Sequence, residues 1–327
     1  MLTRRHFGAA TAAGLLASHS AQAQGSFPDR PLRLLVGYPP GGGVDIFARL
    51  IGEQMRPALG QPVVVENRPG ASAMIASQAV ARAAPDGYSL LMAAAGEIAV
   101  NPSLYKERMA YDPARELAPI ALAGTIPCLV VVPTALAVRT PAELIAYCKA
   151  NRGKLSFSSS GIGNPQQLAG ELMNFMAGTD VLHVPYRGSA PAVTDVAAGR
   201  VTMSFSSLGA ALPLIQAGQL RAVAVTSKGR MPQLPDVAPL AEAPGMAGYE
   251  LINWFGMFCP AGVPAPIQAR LAEAASAAIA DPAMAAKLVE QGAIPRQMTQ
   301  AEMRSFVAEE TRKFAEIITR ANISVEG

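Results

Sequence analysis

A short apolar run, Leu32–Val36, stops at Gly37-Tyr38-Pro39-Pro40-Gly41-Gly42-Gly43, and behind it Val44, Phe47, Ala48, Ile51 and Met55 recur at helical spacing. This order reads as strand, glycine loop, helix. Proline cannot extend the strand, and glycine lets backbone approach a ligand closely. The helix then turns unpaired N–H groups and its positive dipole end toward whatever lies above the strand. Such a corner suits a carboxylate, phosphate or sulfate. It is not a nucleotide motif. A phosphate loop needs Lys after its last glycine, and Val44-Asp45 stand there; a dinucleotide fingerprint needs another glycine well before Gly52.

The rest of the chain repeats this plan. Leu32–Val36, Val63–Glu66 and Tyr88–Ala93 read as strands, with helices over Ile46–Met55 and Ser77–Ala83 between them. These βαβ units predict a parallel sheet whose carboxyl edge carries three loops, 38–45, 67–74 and 94–101. The long apolar stretch 119–133 reads as a strand leaving one domain for the next. A second series follows: a helix 141–150 capped by Thr140, a strand 155–158, a polar loop 158–164, a helix 165–176 and a strand 181–184. A helix 190–197, a strand 201–205, a helix 212–217 and a strand 220–225 complete it. Residues 228–249, rich in Pro, Gly and Ala, read as an excursion, and Trp254–Phe258 as the strand that returns to the first domain. Helices over 267–279, 284–290 and 301–321 end the chain, the last capped by Thr299. The expectation is an α/β protein of two doubly wound domains, 24–124 with 251–327 and 125–250. Two crossings join them around a ligand cleft.

Residues 1–23 read as an export signal: Arg4-Arg5, an apolar stretch from Phe7 to Ala17 too short to span a bilayer, and the small-x-small site Ala21-Gln22-Ala23. Twin-arginine and general secretory export both fit it. Cleavage after Ala23 would leave a periplasmic protein. Without Arg4 and Arg5, the 27 basic residues become 25 against 24 acidic ones, so nucleic acid is not an expected partner. His183 is then the single histidine, in the apolar run Val181–Pro185, where a satisfied structural role is expected. With three cysteines at 128, 148 and 259 in no ligand spacing, no metal and no cofactor are expected. Pairing of Cys128 with Cys148 stays open.

Several longer stretches carry a family resemblance. They include Phe27–Pro31, Pro39–Asp45, Leu59–Gly70, Ala84–Tyr88, Asn101–Tyr105, Leu168–Glu171 and His183–Gly188. In this order, from about Phe27 to Ile323, the chain resembles the solute-binding proteins of tripartite tricarboxylate transporters, the Bug or tricarboxylate-receptor family. The resemblance implies a type II periplasmic-binding-protein fold and no catalysis. It also implies a carboxylate held by the loop after strand one and membrane transporter subunits as partners. Carried across, its binding positions are Pro40, Gly41, Gly42 and Asp45, with Ser159, Gly161, Gln166 and Tyr186 from the second domain.

This chain departs from the family's usual glycine pair and Asn at Ser72-Ala73-Met74, and has Ser206-Ser207 where the family often has Asp. Hydroxyls can bond an ammonium but cannot neutralise it. With Ala73 and Ser206 as candidate contacts, the expected ligand is a small organic acid rather than an amino acid. Glu97, on the loop after strand three, is the opposing candidate, an acid placed to meet an ammonium; Tyr38 completes the set. A monomer is expected. Two other readings stay open: a periplasmic sensor using the same cleft, and a serine hydrolase built on Ser158-Ser159-Ser160 with His183 as base. The latter lacks a G-x-S-x-G elbow.

Overall fold

The computed structural model describes residues 27–325. The expected signal peptide, residues 1–23, lies outside the described residues. β1 (Leu32–Val36) and β3 (Ser89–Ala94) are apolar along most of their length and buried on both faces, as central strands covered by helices must be. With β2 (Val63–Asn67), β4 (Leu117–Pro127) and β10 (Ile252–Pro260) they form a sheet of order β2-β1-β3-β10-β4. β5 (Leu129–Pro133), β6 (Leu155–Ser159), β7 (Val181–Pro185), β8 (Met203–Ser206) and β9 (Leu220–Val225) form a second sheet of order β7-β6-β8-β5-β9.

Helices connect the strands: α1 (Gly43–Leu59), α2 (Met74–Ala81), α3 (Asn101–Leu104) and α4 (Pro113–Glu116) serve the first sheet. α5 (Pro141–Ala150), α6 (Pro165–Ala177), α7 (Ser189–Ala197) and α8 (Leu208–Gln216) serve the second. α9 (Ala265–Ala280), α10 (Pro282–Glu290) and α11 (Gln300–Arg320) then follow β10. Thr140 and Thr299 cap α5 and α11 by accepting the Glu143 and Glu302 N–H groups. Trp254 is fully buried and stacks edge-on with Phe306 of α11 at 5.6 Å.

The sheets are not wholly parallel, as the βαβ reading had them. β1 pairs in parallel with β2 and β3, but β10 is antiparallel to both β3 and β4. The second sheet repeats this, with β5 antiparallel to β8 and β9. The reversed strand is in each case the one that enters from the other sheet. It arrives at the edge where the parallel strands end, so it must run against them. β4 and β5 are separated by Cys128 alone, and β10 makes the return crossing.

Three segments differ from the sequence reading. Residues 94–101 are not a loop: Gly96–Val100 forms a π-helical turn that runs into α3. α8 begins at Leu208, four residues before the expected start at Leu212, with Gly209, Ala210 and Ala211 in its first turns. α2 begins at Met74, behind a tight turn whose Ala71, Ser72 and Ala73 all have positive φ, at 46°, 51° and 66°. Left-handed backbone costs a residue with a Cβ about 1–2 kcal/mol. Asn101 Nδ2 holds the turn by donating to the Ser72 carbonyl at 2.9 Å. Cys128, Cys148 and Cys259 are all free and buried, so the open disulfide does not form.

Candidate ligand-binding cleft

A cavity of about 570 Å³ lies between the two sheets, at the ends of their parallel strands. Its walls come from both halves of the chain. Tyr38, Pro40, Gly42, Gly43 and Val44 line it after β1, with Ser72, Asn101 and Tyr105 beside them. Ser160–Gln166 and Ser207 face them from the second sheet, and Asn253 and Phe255 come from the returning strand. Among the described residues, not one that lines it is charged.

The electrostatics therefore come from the backbone. α1 starts at Gly43 with Gly42 as N-cap, and no side chain caps it. α8 starts at Leu208 with Ser207 as N-cap, again without a side-chain cap. Both N-cap residues line the cavity. Two helix N-termini, one from each half, thus open onto one neutral chamber with their N–H groups and dipoles toward it. α6 also begins at the wall, but its N-cap Asn164 accepts the Gln167 N–H and is already satisfied.

Asp45 works behind this corner rather than in it. It is 2 % exposed, and its carboxylate accepts the Gly41 N–H at 2.9 Å, Arg49 Nε at 3.0 Å and Asn67 Nδ2 at 2.8 Å. Burial alone would raise its pKa, but hydrogen bonds from Arg49, Gly41 and Asn67 outweigh this and hold it below the usual carboxylate value. Asp45 and Gly41 thus fix the loop's shape, and Gly41 spends its N–H in doing so.

In the opposite half, Gln166 Oε1 accepts the Ser160 N–H at 2.8 Å and Gln167 Oε1 accepts the Gly163 N–H at 2.7 Å. Asn164 Nδ2 donates to Ser160 Oγ at 2.9 Å. Three side chains from the start of α6 thus hold the polar loop in place. The loop also reaches across the cleft: a Cβ added at Gly163 would overlap Leu104 Cδ2 of α3.

Of the residues singled out from sequence, Tyr38, Pro40, Gly42, Gly161 and Gln166 line the cavity. Gly41, Asp45, Ala73, Glu97, Ser159, Tyr186 and Ser206 are not among its lining residues. Ala73 is 2 % exposed beneath the turn, and Ser72 faces the cavity instead; Met74 is half-buried against the core. Ser206 is fully buried, leaving Ser207 at the wall. Tyr186 donates its hydroxyl to Asp195 at 2.5 Å, and Asp195 is itself paired with Arg200.

Glu97 is fully buried, accepting Tyr38 Oη–H at 2.7 Å and the Ala94 N–H at 2.9 Å. Burial pushes its carboxyl up to about 7. Its carboxylate sits behind Tyr38, so the expectation that it meets an ammonium directly fails on position. The sequence reading missed Asn101, Tyr105, Asn253 and Phe255. Asn101 and Tyr105 lie in a family-like stretch, and that was the one available signal.

Ser159 and His183 do meet: Ser159 Oγ lies 2.8 Å from His183 Nε2. The serine is nevertheless fully buried, and its Oγ also bonds both the Gly161 carbonyl at 2.8 Å and the Gly161 N–H at 3.2 Å. Burial lowers the His183 pKa to about 4. The hydroxyl ties down a turn of the loop.

The family model for the tripartite tricarboxylate transporter family receptor matches residues 47–323. A protein encoded in the tcbD-tcbE intergenic region of Pseudomonas sp. strain P51 is 42 % identical over 84 % of this chain and 81 % of its own. BugT of Bordetella pertussis is 34 % identical over 94 % of this chain and 93 % of its own. Among solved structures, R. palustris Rpa4515 with adipate superposes with a TM-score of 0.78 at 34 % identity, covering 91 % of this chain and 99 % of that one. MatC of Rhodopseudomonas palustris with bound malate gives 0.74 at 29 %, covering 89 % and 100 %. The family is one of solute-binding receptors, and two α/β units around a cleft are its type II periplasmic-binding fold. This chain belongs to the tripartite tricarboxylate transporter receptor family.

Proposed function

We propose that this chain is an extracytoplasmic solute-binding protein that captures a small organic acid and delivers it to the membrane subunits of a tripartite tricarboxylate-type transporter. The observation that carries this reading is the neutral cleft with two uncapped helix N-termini. An anion gains N–H partners there without competing fixed charge. A cation would be buried with nothing to neutralise it. Relatives solved with adipate and with malate support a carboxylate. In this reading 24–124 with 251–327 and 125–250 are two domains of a monomer that close over the acid, held at Gly42 and Gly43, Ser207 and the 160–166 loop.

Calorimetry against a panel of mono-, di- and tricarboxylates, each with its amino-substituted analogue, tests the reading. The organic acids should bind at least tenfold more tightly than their analogues. Preference for the amino compounds would overturn the organic-acid assignment, and silence from every acid would overturn the function. A sensor would use the same cleft, so capture of the transporter's membrane subunits from native membranes, as against a signalling receptor, separates the two.

Export belongs to the same proposal, resting on Arg4-Arg5 and Ala21-Gln22-Ala23. Sequencing the native protein should give an N-terminus at Gln24, in the periplasmic fraction. A chain that keeps Met1 would refute it.

A further inference from the structure

Glu97 is a fully buried carboxyl with no ion-pair partner among the described residues. It shares its hydrogen bonds between the Ala94 N–H, on Oε1, and the Tyr38 hydroxyl, on Oε2. Tyr38 and Gly96 both line the cleft, and a Cβ built at Gly96 would lie 3.5 Å from Tyr38 Oη. The phenol therefore stands between the cavity and the buried acid.

We propose that Glu97 is a positioning residue that couples ligand capture to uptake of one proton, by switching Tyr38 from hydrogen-bond acceptor to donor toward the cleft. This rests on the reading that the ligand is a carboxylate. A tyrosine hydroxyl has one proton to give. While Glu97 is ionised, that proton is committed to Oε2, and Oη offers the cleft only lone pairs. A carboxylate approaching it finds an acceptor facing an acceptor. Protonated Glu97 reverses this. Oε1 is held by the Ala94 N–H as an acceptor, so the proton sits on Oε2 and is donated to Oη. The Tyr38 hydroxyl hydrogen is then free to turn to the ligand. One proton enters from solvent, no covalent bond is made or broken, and the buried carboxyl ends neutral.

The surroundings allow this. The elements packed on Gly96–Val100 are β3, the 71–73 turn, α3, α4 and α11. β3, the turn and α3 bring no titratable side chain. α4 brings Arg115 and Glu116, the latter paired with Arg82 at 3.5 Å. The buried titratable group of α11, Glu310, is paired with Lys313. Tyr111 gives its hydroxyl to the Glu97 carbonyl at 2.7 Å, and burial raises its pKa well above the usual phenol value, so it stays neutral. With no cation to hold it ionised, desolvation dominates Glu97 and raises it to about 7, so it exchanges protons near neutrality. The sign follows: binding is strongest below that pH and weakens above it, as the proton must be taken from an ever more dilute supply.

The test is calorimetry of adipate binding to the full mature protein, in buffers of low and high ionisation heat, from about pH 6 to about pH 8.5. Wild type should take up close to one proton per adipate at the upper end and lose affinity roughly tenfold per pH unit there. Glu97→Gln places a permanent donor against Oη, with its carbonyl still accepting from Ala94. It should bind with no proton uptake and, at about pH 8.5, roughly tenfold more tightly than wild type. Tyr38→Phe should lose the pH dependence and keep only the weak, high-pH affinity.

A structural role alone would make Glu97→Gln weaker at every pH, and that result overturns the inference. Wild-type binding with no proton uptake overturns it also, while leaving the carboxylate reading intact. If adipate, malate and citrate give no heat with wild type at any pH, the carboxylate reading fails, and this inference fails with it.

Discussion

Gly42→Val is expected to abolish carboxylate binding while the protein still folds. Gly42 sits at φ −76° and ψ 162°, extended backbone that valine adopts readily. An added Cβ would approach the Pro39 carbonyl oxygen at 3.4 Å, at the edge of ordinary contact. Folding should therefore survive, at a cost near the 1 kcal/mol of an altered N-cap. The neighbouring Gly41, at φ 82°, would not tolerate the same change. The isopropyl group would stand over the first N–H groups of α1, where the acid must come within hydrogen-bond reach. Hydrogen bonds to a charged group are worth about 1.5–3 kcal/mol each, so losing two costs roughly 3–6 kcal/mol, a factor of 10² or more in affinity. Calorimetry gives the affinity, and a circular-dichroism melt within a few degrees of wild type gives the fold. Unaltered binding would place the site elsewhere.

Gly163→Ala should hold the cleft open. Gly163 has φ 73°, and its added Cβ would occupy the space of Leu104 Cδ2 on the far wall. The left-handed backbone penalty, about 1–2 kcal/mol, applies in open and closed forms alike. The overlap applies only when the walls meet. Overpacking of this kind costs about 1–3 kcal/mol, and a closed state made that much rarer lowers apparent affinity by roughly 10–100-fold. Small-angle scattering with ligand should show a larger radius of gyration than ligand-bound wild type. Leu104→Ala removes the obstruction, so the double variant should regain both compaction and most of the affinity. A double-mutant cycle that shows simple additivity would rule out the cross-cleft contact.

The candidate site divides along a similar line between what was local and what was not. Gly42 and the start of α1 were legible because a strand, two prolines and three glycines already specify a backbone corner. The 160–166 loop was legible for the same reason. Glu97 was misplaced because Gly96–Val100 has no proline or polar cluster to distinguish a loop from a turn of helix. Only the packing of α11 and α3 against it buries the acid. Ser206 and Ser207 are adjacent, and nothing local says which one faces the cleft. The start of α8 decides it, two residues past the end of β8, with Ser207 between them as N-cap.

The sequence by itself determined the strand–loop–helix repeats, the glycine corner after β1, the helix caps at Thr140 and Thr299, and the kinship. All of these rest on local backbone preference and on ordered motifs. Tertiary structure alone decided that one strand in each sheet runs backwards, because the reversal follows from where the chain re-enters and not from the strand's own residues. It also decided that Asp45, Ser159 and Tyr186 spend their polar atoms on other protein groups behind the cleft wall. Most of all, it left the cleft without a fixed charge. Charge neutrality of a cavity belongs to the residues that converge on it from distant parts of the chain, and no single stretch contains it.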